Sequence, residues 1–311
     1  MRFHVIMLKT LRDLFSIRRG LLFLIGVMLV PFIASGIFAS EGGIGLSGMT
    51  LAMQNQMVLG LFIILAFMWI TGIPLVLLAS VTCGDFISKE DQDGTLLLLV
   101  SKPVRRSEIV IGKFLAFMIS AVLLELIVLL LSALVLSGAM QIDIYIFDNI
   151  LSLIPSLFLY SVFVSFIFGA IATALSSLFK SRIKTIMTLV GITILIFFGF
   201  MIMRGWLGQA YEGFYLNYMD VNYHLGNSYL FFVQSSGLRL VPIYQGIMGQ
   251  FTGTYDAADI SLLYDRDTGA MPPALEPKSY NTPAESMLIW TGIAVALLLL
   301  GILKFDRKEI S

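Results

Sequence analysis

The sequence is short of the residues from which active sites and cross-links are usually built. It has one cysteine, Cys83, which excludes an intrachain disulfide and any cysteine-cluster metal site. Cys83 reads as packing at a helix end. It has two histidines, His4 and His224, and no His-Glu-x-x-His run, so a metalloprotease centre is excluded. Met219, His224, Met248 and Met271 make a notional copper set, but methionines scattered through a chain that holds 16 of them read first as packing. A phosphate-binding loop is missing as well. Its nearest trace is Gly112-Lys113, where Phe114 stands in place of the hydroxyl and Ser107 in place of the first glycine. Charged residues make up only 13% of the chain and sum to zero, so nothing favours a nucleic-acid partner.

Apolar residues are abundant: 58% of the chain, with a mean hydropathy of +0.92. Several runs reach the roughly 20 residues that cross a bilayer core. Six spans are expected, at about 20–39, 57–82, 114–136, 150–179, 185–203 and 286–303. In lipid every backbone polar group needs an internal partner, so runs this long are helices, with Pro74 and Pro155 as tolerated kinks.

Basic residues are absent from two of the connections, about 40–56 and 137–149. Sixteen of the twenty lie in the N-terminal segment, the second and fourth connections and the C-terminal tail. The positive-inside rule places those four segments in the cytoplasm of a cell (plasma or inner) membrane. Residues 1–19 carry Phe3, Met7, Leu11 and Leu14 on one helical face and Arg2, Lys9, Arg12, Asp13 and Ser16 on the other. That is an amphipathic interfacial helix; the alternative is a first span that merely starts early. Charges recur through this segment, so it does not read as a cleavable signal. Residues 205–285 hold nine of the eleven tyrosines, enough aromatic surface for a small extracytoplasmic domain before the last helix and tail at 286–311. The expected fold class is therefore all-α integral membrane, with residues 20–204 holding the first five of six transmembrane helices.

Two features resist a purely structural reading. Glu125 is a carboxylate inside the third span; it is either a proton-relay or pathway group, or a hydrogen-bonded packing carboxyl. The stretch "ISKEDQDGTLLLLVSKPVRRSEIVIGKFLAF" at 87–117 sits between spans 2 and 3. Its charged start continues the second helix into the cytoplasm. Gly94 ends that helix, and Thr95 caps a short apolar helix containing Leu96, Leu97 and Leu98. Five apolar residues cannot span a bilayer and are costly to expose, so they lie in the membrane interface or pack onto another surface. Pro103 ends the short helix, and Ser107 caps the next.

The run Glu90-x3-Gly94-Thr95-Leu96, then Ser101-Lys102-Pro103-x-Arg105-x2-Glu108-Ile109 and Gly112-Lys113, resembles the signature between spans 2 and 3 of ABC-2-type exporter permeases. The resemblance implies a chain without catalytic activity of its own. It would work with a separate ABC ATPase subunit, which binds ATP and magnesium, and with a second permease copy or a paralogue. It implies that segment 84–113 carries the coupling helix and that the N-terminal helix is the elbow helix. Glu90, Gly94, Thr95, Leu96, Leu97, Leu98, Pro103, Arg105 and Glu108 would then form the ATPase-coupling site. One departure is Gln92, where family members often carry a second acid; Asp93 is its possible substitute. The rival class is a membrane scaffold whose external domain binds an extracytoplasmic partner.

Overall fold

The computed structural model describes residues 3–15, 17–39, 49–95, 105–255 and 274–308. Among these residues six helical stretches are long and apolar enough to cross a membrane: Gly20–Ala39, Leu51–Gln92, Arg106–Met140, Ile144–Leu178, Arg182–Leu207 and Pro283–Asp306, here spans 1 to 6. They are preceded by α1 (Phe3–Leu14), and span 1 lies within α2 (Ile17–Ala39). Span 2 consists of α3 (Leu51–Leu65) and α4 (Ile73–Gln92). Spans 3 and 4 are α5 (Arg106–Met140) and α6 (Ile144–Leu178). Span 5 is α7 (Arg182–Ile194) and α8 (Phe200–Leu207). Then come α9 (Gln209–Gly213), α10 (Val221–Ser235), α11 (Pro242–Thr252) and, as span 6, α12 (Pro283–Asp306).

The middle spans are longer than the hydropathy pattern indicates. At 1.5 Å per residue the 35 residues of α5 measure roughly 52 Å, well beyond a hydrocarbon core of about 30 Å. Polar ends such as Arg106 and Glu108 continue the helix past the apolar run. α1 packs along the start of α5, with Phe3 and Ile6 against Gly112. His4, Lys9, Arg12 and Asp13 stay exposed.

α6 is the helix around which α4, α5 and α12 gather. Its second half is rich in small residues, which lets neighbouring backbones approach closely. A Cβ built on Gly169 would lie 2.6 Å from the Phe117 ring, and one on Gly301 only 2.8 Å from the Ala174 Cα. Ser176 Oγ donates to the Gly84 carbonyl (2.8 Å) and accepts from the Ile87 amide (2.9 Å), tying α6 to α4 inside the core. The flanks of α2 and α12 show Leu22, Ile25, Phe32, Leu288 and Leu300 to the surroundings, as a lipid-facing wall does.

Span 2 is broken rather than kinked at proline. A π-helical turn, Ala66–Ile70, ends where the Thr71 amide and hydroxyl both donate to the Ala66 carbonyl at 2.8 Å. Gly72 follows with ψ −114°, and a Cβ there would sit 2.2 Å from the Phe67 carbonyl oxygen. Pro74 lies downstream in the first turn of α4, where its missing N–H costs nothing. Trp69 Nε1 donates to the Val27 carbonyl (2.9 Å) and holds span 1 against the break.

Past span 5, α10 and α11 lie across the end of the bundle opposite the basic clusters. Asp220 caps α10 by accepting from the Tyr223 amide (3.0 Å), and it is bound by Arg204 and by the Tyr211 hydroxyl (2.6 Å). Arg204 also reaches the Phe251 carbonyl at the end of α11. Tyr229 donates to the Ile63 carbonyl (2.6 Å) and Tyr244 to the Met57 carbonyl (2.8 Å), so both helices hang on α3. The Tyr244 ring occupies the space that a Cβ on Gly60 would need. Ile63 is eight residues, roughly 12 Å, further along span 2 than Asn55, which pairs with Asn149 at 3.0 Å; α10 therefore dips into the bundle. His224 is buried there, its Nε2 donating to the Tyr218 carbonyl (3.1 Å) and its Nδ1 accepting from the Ser286 hydroxyl (3.0 Å).

Two predictions follow from this layer of the structure. Gly72→Ala should lower stability by about 3 kcal/mol or more, because the obstructing atoms are backbone. Gly191→Ala, with open space around it, should not; thermal unfolding in detergent compares them. Burial holds the His224 imidazole below its usual range. The unfolded chain then takes up the proton first as pH falls through about 6.5, so stability should drop between about pH 7.5 and about pH 5.5. A His224→Gln variant should flatten that pH dependence of the unfolding midpoint.

Candidate functional site

The last two turns of α4 run beyond the apolar part of span 2 and carry Asp85, Lys89, Glu90, Asp91 and Gln92. Helical spacing points these side chains in three directions, and each direction meets a different helix. Asp85 and Gln92, seven residues apart, share one face. Asp85 Oδ1 accepts from Arg182 Nε (2.7 Å), and Gln92 Oε1 accepts from the Arg182 amide (3.0 Å). The N-terminus of α7 has no side-chain cap from its own Ser181, so Gln92 supplies that acceptor from a neighbouring helix.

A second face holds Phe86 and Glu90, four residues apart. Between them sits the Lys113 ammonium of α5, donating to the Phe86 carbonyl and to Glu90 Oε1, both at 2.6 Å. The Lys113 side chain is 9% exposed and that of Glu90 28%, so this is a largely desolvated pair. The other Glu90 oxygen is buried without a hydrogen-bond partner among the described residues. On the third face Asp91 Oδ2 accepts from Lys308 Nζ at 2.8 Å. Arg106 completes that corner by donating to the carbonyls of Phe305 (3.0 Å), Asp306 (3.1 Å) and Lys308 (2.7 Å), placing its charge at the negative end of α12. Spans 3, 5 and 6 are thus each fastened to the same two turns of span 2.

The hub ends at Gly94, whose φ of +68° is the left-handed conformation that stops a helix with least strain in glycine. Its amide donates to the Asp91 carbonyl (3.2 Å), and Thr95 Oγ1 lies 3.4 Å from the Glu90 carbonyl. The short apolar helix expected next, with Leu96, Leu97, Leu98 and Pro103, lies outside the described residues. Arg105 occupies the N-cap position of α5 and is exposed, and Glu108 sits in its first turn, where a carboxylate favours the helix dipole. Ser107 is not the cap expected for that helix: α5 starts at Arg106, so Ser107 is already inside it. Of the expected coupling residues that are described, only Glu90 belongs to the network of ion pairs. Asp85, Asp91, Gln92, Arg106, Arg182 and Lys308 are members that sequence reasoning missed; the i, i+7 and i, i+4 spacings on α4 were the available signal.

Glu125 lies elsewhere, in the middle of α5, fully buried, with neither carboxylate oxygen hydrogen-bonded among the described residues. Phe117 meets Gly169 where α5 and α6 run antiparallel, which brings Glu125 about level with Ser161 and one turn from Ser165. The Ser165 hydroxyl is also buried and unpartnered among those residues. Of the notional copper ligands, His224 has both ring nitrogens occupied, Met248 is buried in the core, Met219 is exposed, and Met271 lies outside the described residues.

Six helices apolar and long enough to cross a membrane among the described residues, four of them fastened at one end by a charged hub, define a multi-pass membrane protein. The family model for the ABC-2 family transporter protein matches residues 7–310, and the chain belongs to that family. It is an ABC-2-type permease: a membrane component of an ABC transporter, distinct from the ATPase. No curated protein matches it.

If the buried lysine is the main fastening, Lys113→Met should cost about 3 kcal/mol, because it strands Glu90 without its partner. Arg182→Met should cost under about 1 kcal/mol, since that side chain is 43% exposed. Thermal unfolding of the two variants in detergent checks the order.

Proposed function

We propose that this permease is the transmembrane subunit of an ATP-driven exporter, paired with a separate ATPase subunit and with a second permease copy or a paralogue. The single observation that carries the reading is the hub: three helices bound by ion pairs and a capping amide to the two turns of α4 that precede the segment 93–105. A push delivered to that segment by a partner enters spans 2, 3, 5 and 6 together. The basic clusters favour placing this end, both termini and α1 as the elbow helix on the cytoplasmic side of the cell membrane, and 205–285 on the outer side.

The hub fastens the cytoplasmic end while span 2 is broken at 66–72, below the point where Tyr229 and Tyr244 hang α10 and α11 on α3. Motion of α4 about that break leaves the ion pairs intact and shifts the outer half, which supports an outward-opening stroke and hence export. In this account Glu125 is a packing carboxyl rather than a proton relay, since the energy comes from ATP bound with magnesium on the partner.

The scaffold reading draws on the exposed Trp206, Phe214 and Tyr215 at the outer end, which a partner could cover. An aromatic belt at the membrane surface accounts for the same residues. The test is purification of the intact complex. An ATPase subunit should co-purify in stoichiometric amount, and labels on Tyr215 and Ile144 should change separation when ATP is trapped. Glu90→Gln and Arg105→Ala should leave the complex assembled yet abolish most of that change. A chain that purifies without an ATPase, or variants that respond like the parent, would sink the proposal.

A further inference from the structure

At its basic end α6 leaves one side open between two other helices. Measured round the helix from Ala174, which meets Gly301 of α12, Ser176 lies at about 200° and holds α4, and Gly169 lies at about 220° and meets α5. Leu178, Ile171 and Leu175 fall at about 40°, 60° and 100°, between α12 and α4 on the side away from α5. Leu178 is exposed, and Ile171 and Leu175 are partly so. α7 touches α6 as well as the Asp85 face of α4. These three side chains therefore floor an apolar groove between α12 and α7.

Lys180, Lys184, Lys304 and Arg307 stand at the end of this groove. Contact of Gly301 with Ala174 sets α12 in register with α6, so Lys304 is level with Ser177 and Arg307 with Lys180. Thr185 and Leu189 lie against Gly84, which Ser176 also holds, so Lys184 stands within about one turn of the same level. On α12 Phe305 turns towards Arg106 of α5, while Lys304 and Leu300 turn about 60° and 100° the other way from Gly301, to the groove side. The four cationic side chains are exposed, and none makes an ion pair or hydrogen bond among the described residues. Nearby acids are engaged or turned away. Asp85 binds Arg182, Asp91 binds Lys308, and Asp306 lies about 200° round α12 from Lys304.

An apolar groove that ends in unpaired cations at one level matches a ligand with a hydrocarbon chain and an anionic head. We infer that this groove binds one acidic phospholipid, with an acyl chain on Leu175 and Leu178 and the phosphate among the four cations. Lysine stems lie along apolar surface while their ammonium groups reach the headgroup level. A zwitterionic headgroup carries its own cation, so the unpaired charges favour a lipid of net negative charge. An acidic protein surface docked on the tip of α4 stands further out: Gly94 lies ten residues, about 15 Å, past Gly84. The inference needs only that the basic end meets a membrane surface; it does not rest on ATP-driven export.

The experiment uses the full chain in mild detergent, titrated with phosphatidylglycerol, phosphatidylcholine and inorganic phosphate. Native mass spectrometry counts the lipid retained, and thermal unfolding reads the midpoint. A single phosphatidylglycerol should be held about tenfold tighter than phosphatidylcholine or better, and should raise the midpoint. Phosphate at equal concentration should not displace it. Lys184→Gln/Lys304→Gln should weaken binding roughly thirtyfold, the share of two basic residues at a membrane surface. Lys184→Arg/Lys304→Arg should bind like the parent. Lys9→Gln/Lys89→Gln removes the same charge from the same end outside the groove and should leave binding unchanged. The inference is overturned if phosphatidylglycerol is held no better than phosphatidylcholine, if phosphate displaces it, if the glutamine pair in the groove binds like the parent, or if the pair outside it loses as much. It is also overturned if Lys184 and Lys304 of the intact complex stay shielded from amine labelling after lipid is stripped, since a protein then covers them. A missing ATPase would leave a positive lipid result standing, so the two proposals fail separately.

Discussion

A lysine ammonium held at 2.6 Å from both a helix carbonyl and a carboxylate, largely out of water, is the contact on which the basic end of this permease depends. Removing a long cation from solvent is costly unless its hydrogen bonds are met, and Lys113 meets them only while α4 continues as a helix past Phe86 to Glu90. That continuation brings Asp85 and Gln92 to α7 and Asp91 to the end of α12. The close α4–α6 contact beneath it, sealed by Ser176, fixes the rotation of α4 about its own axis, and so decides which residue meets which partner.

The opposite end is organised by neutral groups. Tyrosine hydroxyls bind carbonyls of α3, and one buried ion pair, Arg204 with Asp220, joins the end of span 5 to the start of α10. Span 2 joins the two ends, and between them it passes through a π-helical turn to Gly72, where a Cβ would meet backbone. Charge fastens one end, packing the other, and a break in hydrogen-bond register separates them.

Much of this was legible in the sequence. Long apolar runs gave the six spans, and alternation of basic and apolar residues gave α1, because both signals are local and periodic. Gly94 was legible as a helix stop because the left-handed conformation favours glycine so strongly. The Thr282-Pro283-x-Glu285 start of α12 is a capping box of equally local kind. The hub was not, because its pairs join residues 23 to 217 positions apart, and no single-helix pattern selects Lys308 for Asp91. Pro74 drew attention away from Gly72, although the break needed a residue without Cβ more than one without an N–H. Gln92 read as a missing acid; its amide oxygen instead caps α7, a task that needs an acceptor but no charge. Glu125 was found by its chemistry alone; the buried Ser165 hydroxyl, which like the Glu125 oxygens has no hydrogen-bond partner among the described residues, was concealed by the apolar residues around it.

The length of α4 has a mechanical consequence. Twenty residues at 1.5 Å each make a rod of about 30 Å between Gly72 and the end of the hub. A tilt of roughly 10° about its glycine end carries the far tip about 5 Å sideways. That sideways move carries α6 with it, because Ser176 holds Gly84 and Ile87 close to the tip. The rod acts as a lever that turns a small rotation in the membrane into a several-fold larger sideways movement at its surface.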